Sequence, residues 1–89
     1  MKPKIKNTTR ILYDLLQNTN NTKKEIVENT RLSLTQVNNT IKFLKMGGLI
    51  KVDYLKTDKK PYRKAIYSIP QGKYKYTLNL VQWRLKNVH

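Results

Sequence analysis

Thr35, Gln36, Asn38, Asn39 and Lys42 crowd amide, hydroxyl and ammonium groups into eight residues with no acid among them. An Asn or Gln amide can pair bidentately with an adenine edge, a Thr methyl can touch that of thymine, and a Lys can reach guanine or a phosphate. Two adjacent Asn each cost a helix roughly a few tenths of a kcal/mol relative to Ala. A merely solvated face would more commonly carry Glu or Lys. Two further clusters suit phosphate. Thr22, Lys23 and Lys24 stand where a helix can begin, and free amides at a helix start already favour anions, although capping explains Thr22 equally well. Lys59, Lys60, Arg63 and Lys64 surround Pro61 and Tyr62, with Asp58 slightly weakening their field. Lys45 adds another cation, and Lys2, Lys4 and Lys6 lie in the first residues.

Catalysis needs a positioned acid, base, nucleophile or metal, and little here could supply one. The single His is His89, the last residue, and there is no Cys. That removes disulfides, thiolate metal sites and cysteine nucleophiles. The acids are Asp14, Glu25, Glu28, Asp53 and Asp58. Glu25 is accounted for by capping, and Glu28 is placed to pair with Lys24 one turn away. No two acids are spaced for shared acid–base or metal work. Gly47-Gly48 reads as a helix stop rather than a phosphate-cradling loop. The expectation is a non-enzyme without cofactor, metal or small-molecule ligand.

Charge points the same way. Nineteen Lys and Arg against five Asp and Glu give a formal +14 over 89 residues, and the pI is about 10.2. So charged a domain repels itself until a polyanion neutralises it, and the pI exceeds the value of about 9 seen in nucleic-acid binders. The other polyanion, a membrane surface, is not favoured: no apolar run approaches the ~20 residues of a span, and no apolar stretch follows the basic start as in a secretory signal. A cytoplasmic, membrane-free protein is expected. The length fits one domain with a small core.

The elements that must position these residues are legible from period and punctuation. Ile11, Leu12, Leu15 and Leu16 mark an amphipathic helix, capped by Thr8 or Thr9 and ended by the turn formers at 18–21. Thr22 and Glu25 form a capping box for a short second helix that buries Ile26 and Val27 and stops near Thr30. Ser33 and Gln36 form another, with Leu32 and Val37 as its hydrophobic staple. Val37, Ile41 and Leu44 then define a buried face with Leu34 at its margin. At about 100° per residue, Thr35, Asn38, Asn39, Lys42 and Met46 point outward. Residues 49–55 and 65–69 read as strands around a basic loop, 57–64. After the turn at Pro70-Gln71-Gly72 the period is ambiguous. Tyr74, Tyr76, Leu78 and Leu80 alternate as in a strand, while Leu78, Val81, Leu85 and Val88 keep helical spacing. Length favours a helix from about Thr77 to Val88. Phe43, Tyr76, Leu78, Val81, Trp83 and Leu85 are assigned to packing of this tail, or to a subunit interface.

From Thr22 to Ile69, about half the chain, this order resembles the winged helix-turn-helix family, in particular small regulators of the MarR-like and ArsR-like kinds. The carrying residues are Thr22 to Glu28, the Leu32-Ser33 turn before the third helix, and Leu44-Lys45-Met46-Gly47-Gly48-Leu49-Ile50 leading into the first strand. The tail after Pro70 matches no family pattern, and Phe43 stands where the family usually has a polar residue. The metal-binding cysteines of the ArsR-like kind are absent. The resemblance implies an α+β fold of three helices and a two-stranded wing, here with a C-terminal extension expected to be helical. Its divisions would be a basic arm (1–7), the winged domain (8–70) and the extension (71–89). It implies a transcriptional regulator that binds double-stranded DNA, with helix 33–46 in the major groove and the 57–64 wing on the backbone or in the minor groove. Such proteins commonly pair through terminal helices, so a homodimer is expected, with recognition helices about 34 Å apart. Two alternatives stand beside this: a sequence-tolerant architectural or replication-accessory DNA binder, and a winged-helix adaptor for protein or RNA.

Overall fold

Both capping boxes form, and they fix the centre of the molecule. In the computed structural model, which describes residues 5–18, 20–60 and 63–87, Thr22 and Ser33 cap α2 (Lys23–Thr30) and α3 (Leu34–Met46). Each hydroxyl accepts the third helical amide, while Glu25 and Gln36 accept the cap residue's own N–H. Leu32 and Val37, the staple pair, are both in the core. Helix α1 (Asn7–Gln17) precedes them, and β1 (Lys51–Lys56), β2 (Arg63–Ser68), a 3-10 turn at Gln71–Lys73 and α4 (Tyr74–Lys86) follow. The architecture is α+β, four helices and one antiparallel hairpin.

The start of α1 differs from expectation. Lys6 occupies the cap position with no side-chain bond, and Thr8 and Thr9 lie inside the helix. Their hydroxyls accept from the Arg84 guanidinium at 3.0 and 3.3 Å, joining the two ends of the chain. Ile11, Leu12 and Leu15 supply the α1 share of the core. Val37, Ile41 and Leu44 supply that of α3, and Ile26, Leu32, Ile50, Tyr67 and Val81 complete it.

Helix α3 ends in a Schellman motif. The Leu49 amide donates to the Leu44 carbonyl and the Gly48 amide to that of Lys45, both at 3.0 Å, with Gly48 at φ 74°. Glycine takes that conformation without a Cβ clash. Leu49 therefore finishes the helix and Ile50 turns into the core, so neither opens β1, which starts at Lys51. Register pairs Lys51 with Ser68 through Lys56 with Arg63, so Arg63 and Lys64 belong to β2 and not to the loop. A further bridge, Asn21 with Tyr67, ties the α1–α2 turn to the wing root by two backbone bonds of 3.1 and 2.7 Å.

The helical alternative holds for the tail, and the strand does not form. The tail-packing half of the assignment needs correction for four residues: Phe43, Tyr76, Trp83 and Leu85 are exposed on the single chain. Of the residues assigned to packing, Val81 is buried and Leu78 half-buried; helix α4 also buries Thr77 and half-buries Arg84. Thr77 is 0% exposed and its hydroxyl has no hydrogen-bond partner among the described residues. An unsatisfied buried hydroxyl costs roughly 1–3 kcal/mol, and an isosteric methyl removes that cost. Thr77→Val is therefore expected to raise stability by about 1 kcal/mol in denaturant titration. A loss of similar size would show that the hydroxyl is satisfied in solution.

Candidate nucleic-acid interface

With Val37, Ile41 and Leu44 turned into the core, α3 presents Thr35, Asn38, Asn39, Lys42 and Met46 to solvent, every one exposed. Neither α4 nor the hairpin covers them. Thirteen residues give this helix a length of about 20 Å, and a major groove about 12 Å wide admits an α-helix. Gln36 is exposed as well, but its amide oxygen is held by the Ser33 amide at 3.0 Å. Its first task is thus the cap, which leaves the amide NH2 as its free end.

Beside the strip runs a groove of about 400 Å³ lined by Lys23, Asn38, Lys42, Lys45 and Met46, with Ile41 and Tyr67 among its walls. A second groove of about 590 Å³ lies between the start of α2 and β2, lined by Thr22, Lys23, Lys24, Arg63, Lys64 and Tyr67 together with Glu25 and Glu28. Lys23 and Tyr67 border both grooves. The Lys23 ammonium sits 5.8 Å from the centre of the Tyr67 ring, a cation–π contact. Tyr67 is a site residue that spacing did not reveal, because as a strand aromatic it reads as core. Its backbone pairs with Asn21, which ties the wing root to the turn before α2.

At Thr22 capping prevails. Its hydroxyl accepts the Glu25 amide at 3.2 Å and donates to the Glu25 carboxylate at 3.0 Å. The same carboxylate accepts the Thr22 backbone N–H, and this bond above all holds the Glu25 pKa below its ordinary value. Glu25 thus occupies the anion position at the helix start, which leaves the ammonium groups of Lys23 and Lys24 as the cations there. The Lys24–Glu28 ion pair expected from spacing does not form. Among the described residues the ion pair is Lys51–Asp53, at 3.5 Å near the wing root.

Toward its tip the wing is densely cationic. Lys56 stands directly across from Arg63, and Lys64 is the next residue along β2. Like charges directly opposite in a sheet repel; Lys64 is within electrostatic reach of Glu25, whose pKa it helps to lower, and among the described residues neither Lys56 nor Arg63 forms an ion pair. Lys59 and Lys60 are exposed beyond them, where the Thr57 hydroxyl donates to the Lys59 carbonyl at 2.7 Å. Tyr62 lies outside the described residues. Lys56 escaped the sequence reading because it closes a strand instead of lying in the loop.

Three core helices, a helix-turn-helix of α2 and α3, and an antiparallel hairpin define a winged helix-turn-helix protein. Solved structures of this shape include the circadian clock associated protein Pex from Anabaena (TM-score 0.71, 21% identity, over 89% of this chain and 74% of that one). They also include ZitR, a zinc-responsive MarR family member of Lactococcus lactis (TM-score 0.68, 19% identity, 96% and 56%). A third is a PadR family transcription regulator from Clostridium difficile (TM-score 0.67, 17% identity, 88% and 88%). The chain spans just over half of the MarR-family chain, and at these identities the likeness is one of fold. No family model and no curated protein matches the sequence. Among the described residues no cluster of His, Asp or Glu could hold a metal ion, and no helix is long and apolar enough to cross a membrane.

Proposed function

We propose that the protein binds double-stranded DNA sequence-specifically and acts as a transcriptional regulator. The observation that carries this reading is the exposed, acid-free strip of Thr35, Asn38, Asn39 and Lys42 flanked by a cationic wing. Helix α3 enters the major groove, where Asn38 and Asn39 suit adenine, Thr35 suits thymine, and Lys42 suits guanine or a phosphate. Lys23, Lys24 and Lys45 line the grooves beside it and take the DNA backbone. Lys56, Lys59, Lys60, Arg63 and Lys64 carry the wing to the backbone or to a narrow minor groove, whose potential attracts Arg and Lys. The regulator-like fold of the neighbours supports the same reading.

Selection from random duplexes, followed by titration of the selected and a scrambled site, tests it. The selected site should bind at least ~10³-fold more tightly than the scrambled one. Asn39→Ala should weaken the selected site by about 1–3 kcal/mol, leave the scrambled site nearly unchanged and scarcely move the melting temperature. Equal losses on both duplexes would remove the base-reading role. Failure to enrich any site, with binding retained, would mean sequence-tolerant coating of DNA.

A further inference from the structure

The exposed face of α3 is not wholly polar. Phe43 is 68% and Met46 82% exposed, and neither belongs to the core. Helix formation does not call for a phenyl ring there, since Phe is a poorer helix former than Ala, Leu or Lys. Winged helix-turn-helix sequences usually have a polar residue at this place, so the ring is a departure made by this chain. Around the helix axis Phe43 lies about 40° to one side of Asn39, and Met46 about 20° to the other. Helical side chains lean toward the N-terminus and cover the turn before their own Cα. The Phe43 ring therefore leans over the turn that carries Asn39. Met46 closes the strip beyond Lys42, where it borders a groove with Lys42 and Lys45. An amide that can pair with adenine thus stands between two apolar side chains.

We propose that Phe43, with Met46 beside it, reads the C5-methyl groups of thymines in the major groove, which makes it a specificity-determining residue for A·T-containing sites. The inference rests on the DNA-binding reading and sharpens it. A base pair presents one methyl group in the major groove, that of thymine, and Phe is among the side chains that contact it. The adenine that suits Asn39 is paired with a thymine. A helix placed to read the adenine edge therefore meets the methyl of the same pair or of its neighbour. Each methyl taken out of water raises affinity about fourfold. Cytosine has a hydrogen in that place and gives no such gain. Position decides between occupants. A protein surface or a second copy seated on Phe43 would also cover Asn39, one helical turn away, and would close the strip to DNA. Methyl readout uses both residues at once.

Uracil in place of thymine removes this methyl and nothing else. The probe is the duplex selected from random sequences, remade with each thymine replaced singly by uracil and titrated by fluorescence anisotropy. At one or more positions uracil should weaken binding of the parent protein about fourfold. Phe43→Ala should weaken the thymine duplex by a similar factor and bind the thymine and uracil duplexes equally at such a position. Phe43→Leu keeps an apolar side chain and should retain most of the discrimination. Thr35→Ser removes the other methyl on the strip and should leave that position unchanged. The ring is exposed, so Phe43→Ala should keep the parent's melting temperature. Failure to bind or to select any duplex overturns this inference together with the reading beneath it. Site-specific binding that is indifferent to uracil at every thymine, or a uracil penalty that survives Phe43→Ala in full, overturns the inference alone. A lower mass in sizing for Phe43→Ala than for the parent overturns it in favour of a subunit interface through α3.

Discussion

Asp14→Ala is expected to cost about 3–5 kcal/mol of stability, the largest loss of any polar substitution in the chain. Asp14 is only 6% exposed, and its carboxylate accepts three amides. Asn18 and Asn29 donate to Oδ1 at 3.1 and 3.0 Å, and Asn21 donates to Oδ2 at 2.9 Å. A hydrogen bond to a charged group contributes roughly 1.5–3 kcal/mol. Asn21, 4% exposed, would lose its partner in a place with little access for water. Asn18 and Asn29 are exposed and can rehydrate, so the three losses do not simply add. A domain of this size has about 4–13 kcal/mol in all, and each kcal/mol shifts its melting temperature by about 4–8 °C. The variant should therefore melt roughly 12 °C or more below the parent. Because Asn21 also pairs with Tyr67, amide exchange at these two residues should accelerate more than along α3. Asp14→Asn keeps one acceptor oxygen and should fall between the two. A loss under about 1 kcal/mol for Asp14→Ala would mean that water replaces the carboxylate.

That cluster also shows where the sequence stops being readable. Its donors sit four, seven and fifteen residues from Asp14, and an acid among asparagines carries no periodic signal. The bond from Arg84 to Thr8 spans seventy-six residues and was equally invisible, so Thr8 and Thr9 looked like caps. Helix α3 was legible because its signals are local: the Ser33–Gln36 box, the Leu32–Val37 staple and the glycine stop all fall between residues 32 and 48. The outward strip followed from the same helical period that buried Val37, Ile41 and Leu44. The hairpin was legible, but each strand starts two residues away from its expected start: Leu49 closes the helix and Ile50 enters the core ahead of β1, while pairing with Lys56 draws Arg63 and Lys64 into β2. On α4 the buried face includes a threonine, Thr77, while Tyr76 and Trp83 face water. Hydrophobicity alone therefore picked out Val81 and Leu78 but missed Thr77, and it placed the exposed Tyr76 and Trp83 with them, although it gave the right kind of element.

Duplex affinity should fall about a thousandfold between 50 and 200 mM salt, the steepest response expected of the proposed DNA contact. The grooves and the wing together present nine cations, from Lys23 to Lys64. With roughly six of them on phosphates, the slope of log K against log salt is about −5. The facing pair at the wing end gives this prediction a sharper form. Lys56 and Arg63 repel each other across the sheet in the free protein. Phosphate relieves that repulsion only in the complex. Replacing both, as Lys56→Gln with Arg63→Gln, should reduce the magnitude of the slope by roughly 2 and weaken binding to selected and scrambled duplexes alike. The same change should leave the free protein as stable as before, or more stable by up to about 1 kcal/mol. Affinity and stability thus move in opposite directions, a pattern that a merely structural wing would not give. Parallel losses of both, or a slope unchanged by the double substitution, would take the wing off the DNA and leave the contact to α3 and the start of α2.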